Sequence, residues 1–454
     1  MRHVAVIDIG KTNAKLVLVD MDRLAEVAVK TRPNTVVSAG PYPHYDIDGL
    51  WNFILDGLAA LNREHPIDAI SVTTHGATAA LLDAKGDLVL PVLDYEHTGP
   101  DEIAQAYDAV RPPFEETGTP RLPVGLNLAA QIFWQANAFP ADFGRAASIV
   151  MYPQYWTYRL SGVLANEVTS LGCHTDLWNP SARDFSSLVN MQGWRRLMAP
   201  ARLASDRLGA IEPAIAMQTG IAIGTPVFCG IHDSNASLLP HLLSRKPPFA
   251  VVSTGTWVIS MAIGAKPKPL DPARDTLINV NAFGDPVPSA RFMGGREFAT
   301  LTGSTEAAWD DEDIAAVLDA QILLLPSVQQ GSGPYPDREM RWSAVEPSGS
   351  RRTVAASFYL AMMTATCLDL IGAEGPMIVE GPFARNTLFT RMLAATTGRP
   401  VIADADAATG TSIGAALLAV GDAPPLAGQG AAMENPGSAW SRYAAVWRAA
   451  VESS

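Results

Sequence analysis

Short apolar runs broken by polar, glycine-containing turns alternate along the chain with longer stretches of helical period. Residues 4–7 and 16–19 flank the polar turn 8–15, a pattern that predicts a β-hairpin with its chemistry at the tip. Ile47, Leu50, Trp51, Ile54, Leu55, Leu58 and Leu61 recur at helical spacing and predict a packed amphipathic helix over 46–64. After Pro66, residues 69–72 form a buried strand running into Thr73-Thr74-His75-Gly76. Residues 81–83 and 88–93, joined by the turn 84–87, predict a second hairpin that leads to Asp94-Tyr95-Glu96-His97-Thr98. Helices are predicted over 127–138 and from Tyr152 onward, with a strand at 148–151 between them, whereas 167–176 carries little periodic signal. Near the midpoint, 227–229 reads as a strand, Gly230 as a turn and 234–243 as an apolar-periodic helix, which leaves Asp233 at a strand-to-helix corner.

Ser244-Arg245-Lys246-Pro247-Pro248 is the clearest linker, dividing a domain over 1–244 from a second over 249–425, with a tail over 426–454. Directly after it, AVVSTGTWVISMAI at 250–263 echoes AVIDIGKTNAKLVLV at 5–19, with Ser253 in the place of Asp8. A repeat at that scale indicates two related α/β halves. In the second half, 353–371 is a long apolar helix. Residues 377–379 are a strand ending in Glu380-Gly381-Pro382-Phe383-Ala384-Arg385-Asn386, and 387–397 is a helix. A strand at 401–402 and a small-residue helix at 409–420, with Gly410 and Gly414, follow. The Gly-, Pro- and Ala-rich stretch 423–438 is expected to wrap the surface.

A length of 454 residues suits two or three domains, and a net charge of −13 argues against a nucleic-acid or anionic-membrane partner. No run of 18 apolar residues occurs, so neither a membrane span nor a signal peptide is expected. Cys173, Cys229 and Cys367 lack metal-type spacing and are read as reduced thiols of a cytoplasmic protein.

Candidate chemistry gathers at the turns. In Asp8-Ile9-Gly10-Lys11-Thr12-Asn13, Gly10 lets the backbone approach a ligand and Thr12 and Asn13 offer donors to a phosphate. Asp8 would repel that phosphate unless a divalent cation such as Mg²⁺ lay between them; an ordinary turn is the competing reading. Asp233 either caps the helix that follows or takes a proton from a bound hydroxyl. Lying between that turn and Ser253-Thr254-Gly255-Thr256, it suggests phosphoryl transfer to an alcohol. His75 ends a strand, where open α/β sheets border their ligands, though a structural role explains a lone histidine equally. Asp94 and its polar neighbours either hold sugar hydroxyls or cap a helix near Asp101. Gln154 and Trp156 either meet a polyol or belong to the core.

Together these motifs resemble the FGGY carbohydrate kinases, over nearly the whole chain from Val4 to about Val420. The first phosphate motif resembles Asp8 to Lys15, the base motif Gly230-Ile231-His232-Asp233-Ser234, and the second phosphate motif Ser253-Thr254-Gly255-Thr256-Trp257. The adenosine region resembles Gly381 with Asn386 and Thr411-Ser412-Ile413-Gly414-Ala415-Ala416. The resemblance implies two ribonuclease H-like, actin-like ATPase α/β domains facing a central cleft. It implies ATP and Mg²⁺ as cofactors and a small-molecule sugar and ATP as partners, in a monomer or homodimer. Asp233 would be the catalytic base; His75, Gly76, Asp94, Gln154, His232 and Asp233 would bind the sugar. Gly10, Lys11, Thr12, Asn13, Thr254, Gly255, Thr256, Gly295, Gly381 and Asn386 would hold the nucleotide, and Asp8 and Asp233 the metal. The likeness is greater to the rhamnulokinase and fuculokinase branch than to glycerol kinases, so the acceptor is expected to be a ketose phosphorylated at C1, such as L-fuculose or L-rhamnulose. Xylulose, ribulose or a polyol are alternatives within the activity; a nucleotide-switched binding protein and a phosphohydrolase are alternatives to it. Two departures stand out. Pro382 and Phe383 follow Gly381 where the family shows successive glycines, and Lys11 stands where a small hydroxyl residue is common.

Overall fold

The computed structural model describes residues 1–303, 307–404, 410–421 and 432–453. It divides into two units: Met1–Ser244 with Ile278–Pro286 and Ala408–Leu426, and Arg245–Leu277 with Val287–Ala407 and Ala427–Ser454.

Unit 1 is built on strands β1 (His3–Ile9), β2 (Asn13–Asp20), β3 (Ala25–Pro33), β4 (Ala69–Thr74), β5 (Arg207–Ala210) and β6 (Pro226–Phe228), in the spatial order β5-β6-β4-β1-β2-β3. β1 and β2 form the expected hairpin, Val4 opposite Val19 and Asp8 opposite Lys15. β1 also pairs parallel to β4, Val4 beside Ala69 and Ile9 beside Thr74. Buried on both faces, β1 reads as a near-continuous apolar run, as a central strand beside a parallel partner should. The crossover from β3 to β4 is α1 (Ile47–Glu64), which Asp46 starts by accepting the Gly49 N–H at 2.9 Å. Its stripe of Leu50, Ile54, Leu58 and Leu61 seals one face of the sheet together with α2 (Tyr152–Ser161). Trp156 of α2 is fully buried and packs on Trp51, so it belongs to the core and meets no polyol.

The second expected hairpin forms differently. Residues 79–82 pair antiparallel with 148–151, and 82 touches 88 through a single bridge. Both partners are short and apolar, and nothing local in the sequence marks the distant one as preferred. Past β6, α3 (Asp233–Ser244) closes the first run of unit 1.

Unit 2 repeats the plan. β7 (Phe249–Thr254) and β8 (Val258–Ile263) form a hairpin, β9 (Pro286–Phe292) extends it, and β10 (Met377–Glu380) and β11 (Val401–Asp404) add parallel strands on the other side of β7. Its seven-stranded sheet therefore runs β9-β8-β7-β10-β11 through its centre, as unit 1 runs β3-β2-β1-β4-β6. α4 (Gly294–Thr302) follows β9, and α5 (Gly349–Leu370) is the crossover to β10. α5 is long and apolar enough to cross a membrane, yet 83% of its most apolar window lies buried inside unit 2. α6 (Thr387–Thr397) joins β10 to β11.

The expected domain limits differ at three places. Residues 278–286 count with unit 1, and so does α7 (Thr411–Leu417), which packs on α3; a Cβ on Gly414 would lie 1.7 Å from the Ala236 carbonyl oxygen. Close helix packing by itself requires that small residue. Likewise 438–452 is no tail: α8 (Ser438–Glu452) buries Trp440, Tyr443 and Trp447 in unit 2, Trp447 Nε1 donating to the Leu324 carbonyl at 2.6 Å. Most of the stretch expected to wrap the surface lies outside the described residues.

Candidate active site

Parallel pairing brings three strand ends of unit 1 level. β1 lies beside β4, and Ile231 and His232 lie beside Thr73 and Thr74 of the same β4. Asp8 near the end of β1, His75 just past β4 and Asp233 just past His232 therefore meet at one edge of the sheet, the edge where open α/β sheets hold ligands. Asp8 is 8% exposed and accepts the Thr411 hydroxyl at 2.9 Å. Burial raises its pKa, the Thr411 bond opposes that, and the neighbouring Asp233 charge adds to the rise.

Asp233 is the first residue of α3, its side chain 31% exposed. Its Oδ1 accepts the Ser234 N–H at 2.6 Å and the Ser234 hydroxyl at 3.3 Å, and lies 3.4 Å from His232 Nε2. That is a one-residue turn, not the N2 or N3 bond of an N-cap. His75 is buried, and burial lowers its pKa to about 4, so its ring is neutral at physiological pH. Nδ1 faces the Gly76 carbonyl at 3.0 Å and must carry the proton, which leaves Nε2 a bare acceptor without a protein partner. Gly76 lies against the His232 ring.

Lys11 does not point to solvent. Its Nζ bonds Asp94 Oδ1, lies 3.2 Å from Glu96 Oε2, and sits 4.7 Å from the Tyr95 ring centre and 5.4 Å from that of Tyr45. The Tyr45 hydroxyl donates to Asp94 at 3.3 Å, and both tyrosine rings contact His75. Tyr45 was not among the residues singled out above, since a tyrosine just before a helix start carries no chemical pattern of its own. Gly10 closes the hairpin tip through its N–H to the Asn13 carbonyl at 2.9 Å, and Thr12 and Asn13 stand exposed beside it.

Gln154 is fully buried and donates to the Cys229 carbonyl at 2.9 Å, which places it behind the base corner as a support. Cys173 also meets that corner, Sγ 3.4 Å from His232 Nε2. Burial by itself would hold Cys173 protonated, but His174 and His232 pull its thiol down to about 5. Burial likewise opposes charge on His232, and the Cys173 and Asp233 charges outweigh it and raise the imidazole to about 9.

Unit 2 carries a cleft of about 680 Å³ lined by Gly255, Thr256, Gly295, Arg296, Phe298, Ala299, Trp309, Pro382, Phe383, Arg385, Asn386 and Thr387. The sequence reading had Gly255, Thr256, Gly295 and Asn386 here but gave no role to Arg296 and Arg385, which adjoin those glycine turns, and missed Phe298 and Trp309, which sit outside them. Thr254 is not free to grip a phosphate: its hydroxyl donates to the Glu380 carbonyl and accepts the Phe383 N–H at 3.1 Å. Gly381 serves the same junction, with φ at 78° and no room for a Cβ, which would stand 2.1 Å from the Thr254 carbonyl oxygen. Asn386 caps α6, accepting the Phe389 N–H at 3.0 Å.

Among the described residues no cluster of three or more His, Cys, Asp or Glu forms a ready-made metal cage. Mg²⁺ seldom uses one; it takes one or two carboxylates, waters and substrate phosphates. Asp8 and Asp233, the charge of the second adding to the raised pKa of the first, fit that donor set.

The family model for the N-terminal domain of the FGGY family of carbohydrate kinases matches residues 3–240, and that for the FGGY carbohydrate kinase C-terminal domain matches 246–427. The crystal structure of a carbohydrate kinase from Novosphingobium aromaticivorans is 37% identical, covers 98% of this chain and 100% of its own, and superposes with a TM-score of 0.91. L-fuculokinase of Escherichia coli (strain K12) is 24% identical over 275 residues, and the alignment spans 58% of this chain and 57% of that enzyme. Autoinducer-2 kinase of Salmonella choleraesuis (strain SC-B67) is 25% identical over 409 residues, 80% of this chain and 74% of that one. The two-domain α/β expectation holds, each unit carrying the hairpin-plus-parallel-strand sheet of the actin-like ATPases.

Proposed function

The chain belongs to the FGGY family of carbohydrate kinases, and from that premise we propose that it transfers the γ-phosphoryl group of ATP to a hydroxyl of a neutral sugar, a ketose at C1. The observation that carries the reading is Asp233, a part-exposed carboxylate at the strand edge between buried Asp8 and neutral His75.

In this reaction Asp233 accepts the proton of the acceptor hydroxyl as its oxygen attacks the γ-phosphorus and the bond to the β-phosphate oxygen breaks, releasing ADP. A positioned base contributes about 10²- to 10⁴-fold, and positioning and charge stabilisation supply the rest in phosphoryl transfer. His75 Nε2 accepts a second sugar hydroxyl, which its neutral state permits. In unit 1 the exposed Thr12 and Asn13 of the hairpin tip offer donors to phosphate oxygens, and in unit 2 Thr256 lines the cleft with a hydroxyl that can do the same. Trp309, Phe298 and Pro382 offer apolar faces to the adenine ring, so the departure at Pro382 and Phe383 replaces glycine contacts by ring contacts. Mg²⁺ held by Asp8 and Asp233 through water would neutralise phosphate charge.

The acceptor side carries Asp8, Asp94, Glu96 and Asp233, and its lysine is already committed to two of these acids. Such a surface repels a sugar acid and favours an uncharged ketose or polyol. A coupled ADP-release screen over L-fuculose, L-rhamnulose, xylulose, ribulose, glycerol and gluconate tests the assignment. A neutral ketose should stimulate release most and gluconate least. A rate that is the same with and without every sugar would overturn the kinase reading.

A further inference from the structure

The segment from Glu167 to Cys173 contains no residue used in the reaction above, yet it grips the base corner at two points. Glu167, fully buried, accepts the Thr169 N–H at 2.8 Å, the Thr169 hydroxyl at 2.7 Å, the Ser170 N–H at 3.0 Å and the Ser170 hydroxyl at 3.1 Å. Those four bonds lock the short turn Val168–Leu171. With its proton given to Glu167, the Thr169 hydroxyl accepts the backbone N–H of His232 at 3.1 Å. Two residues past that turn, Cys173 Sγ stands 3.4 Å from His232 Nε2, the same nitrogen that stands 3.4 Å from Asp233 Oδ1.

His232 has little else to hold it in orientation. Its Nδ1 is buried without a protein partner, so the ring's polar contacts all run through Nε2. A Cβ at Gly76 would come within 2.6 Å of Nε2 and 3.6 Å of Cys173 Sγ, so the ring and the thiol share space that a side chain at 76 would take.

We propose that Thr169 and Cys173 are positioning residues for the base: they clamp His232 at backbone and ring, so that its Nε2 fixes one Asp233 oxygen and turns the other toward the acceptor hydroxyl. The proposal rests on Asp233 being the base. Neither residue touches substrate; each acts through His232. Cys173 works here as a polar partner, unlike Cys367, which is fully buried among apolar side chains of unit 2.

Two substitutions of opposite character separate this role from packing. Val keeps an apolar volume at 173 but cannot meet the imidazole, whereas Ser keeps a polar partner and shrinks the side chain. Positioning predicts that Cys173→Val loses about 10-fold or more in kcat, with KM for ATP unchanged, and that Cys173→Ser recovers most of the rate. A packing role predicts the reverse order, Val tolerated and Ser impaired, and would overturn the proposal. Should Cys173→Val fail to fold, the pair Thr169→Val and Thr169→Ser probes the other grip: the first should lose kcat and the second restore it, and equal rates would refute the clamp. Cys367→Ser, measured alongside, should lower thermal stability without a selective loss of kcat. Asp233→Asn distinguishes the layers of the argument. If it keeps full rate, the base assignment falls and the clamp with it; if it is inactive while Cys173→Val and Thr169→Val run at full rate, the clamp alone is wrong.

Discussion

Units 1 and 2 place the same strand order under opposite chemistry. In each, a hairpin is flanked by parallel strands, a helix crosses over to the first of them, and the strand ends on one edge carry the candidate site. At that edge unit 1 presents ionisable groups, namely Asp8, His75, His232 and Asp233, with Lys11, Asp94 and Glu96 beside them. Unit 2 presents Gly255, Thr256 and Asn386 with the rings of Phe298, Trp309 and Phe383. Where Asp8 stands in the first hairpin, Ser253 stands in the second. The comparison teaches that the shared sheet supplies an edge and a direction, while the side chains brought to it make one edge ionisable and the other polar-neutral and aromatic.

The sharpest way to break this division is at Asp233. Asp233→Asn keeps the size and the bond from Ser234 but cannot take the acceptor's proton. Turnover should fall by about 10² or more, equivalent to about 2.7 kcal/mol of barrier, while the melting temperature barely moves. Steady-state rates beside thermal melts check this, and a full-rate variant would leave unit 1 without its assigned base.

Glu297 tests whether an acid of unit 2 is structural. On α4, it is 1% exposed, accepts the Gln329 N–H at 3.2 Å, and is raised by burial from 4.5 to about 7. The folded state keeps its proton where the unfolded chain has given it up, so stability is greatest below pH 4.5 and falls as pH rises toward 7. The full loss, about 3 kcal/mol, is reached above pH 7. Glu297→Gln should remove that slope and be the more stable protein at pH 8 but not at pH 4.5. Urea unfolding across that range measures it, and parallel curves for the two proteins would contradict the assignment.

A smaller effect is expected at Trp309. If unit 2 holds the base by its rings, Trp309→Ala should weaken ATP binding about 10-fold, within the range for loss of one stacking face. Sugar affinity measured by calorimetry should stay unchanged. Unaltered ATP affinity would remove Trp309 from the nucleotide site.

Much of this plan was legible in the chain because it is written locally. The hairpin at β1 and β2, the crossover helix capped by Asp46, the strand before Asp233 and the echo of the first hairpin at 250–263 all follow from short-range periodicity and turn residues. Side chains at those turns, Asp8, His75, Asp94 and Asp233, were identifiable for the same reason. Pairings between distant short strands were not, as residues 79–82 show by joining 148–151.

Sequence alone determined the two-fold α/β repeat, the turns that carry its candidate chemistry and the aspartate at the corner, since each depends on residues within a few positions of one another. Tertiary structure alone decided what those residues are free to do. It committed Lys11 to Asp94 and Glu96, tied the Thr254 hydroxyl to Glu380 and Phe383, and set Thr411 on Asp8 and Cys173 on His232. These contacts join positions tens to hundreds of residues apart, and a hydrogen bond needs its partners within about 3 Å. No local pattern encodes that distance; it is set by how the sheets and helices pack.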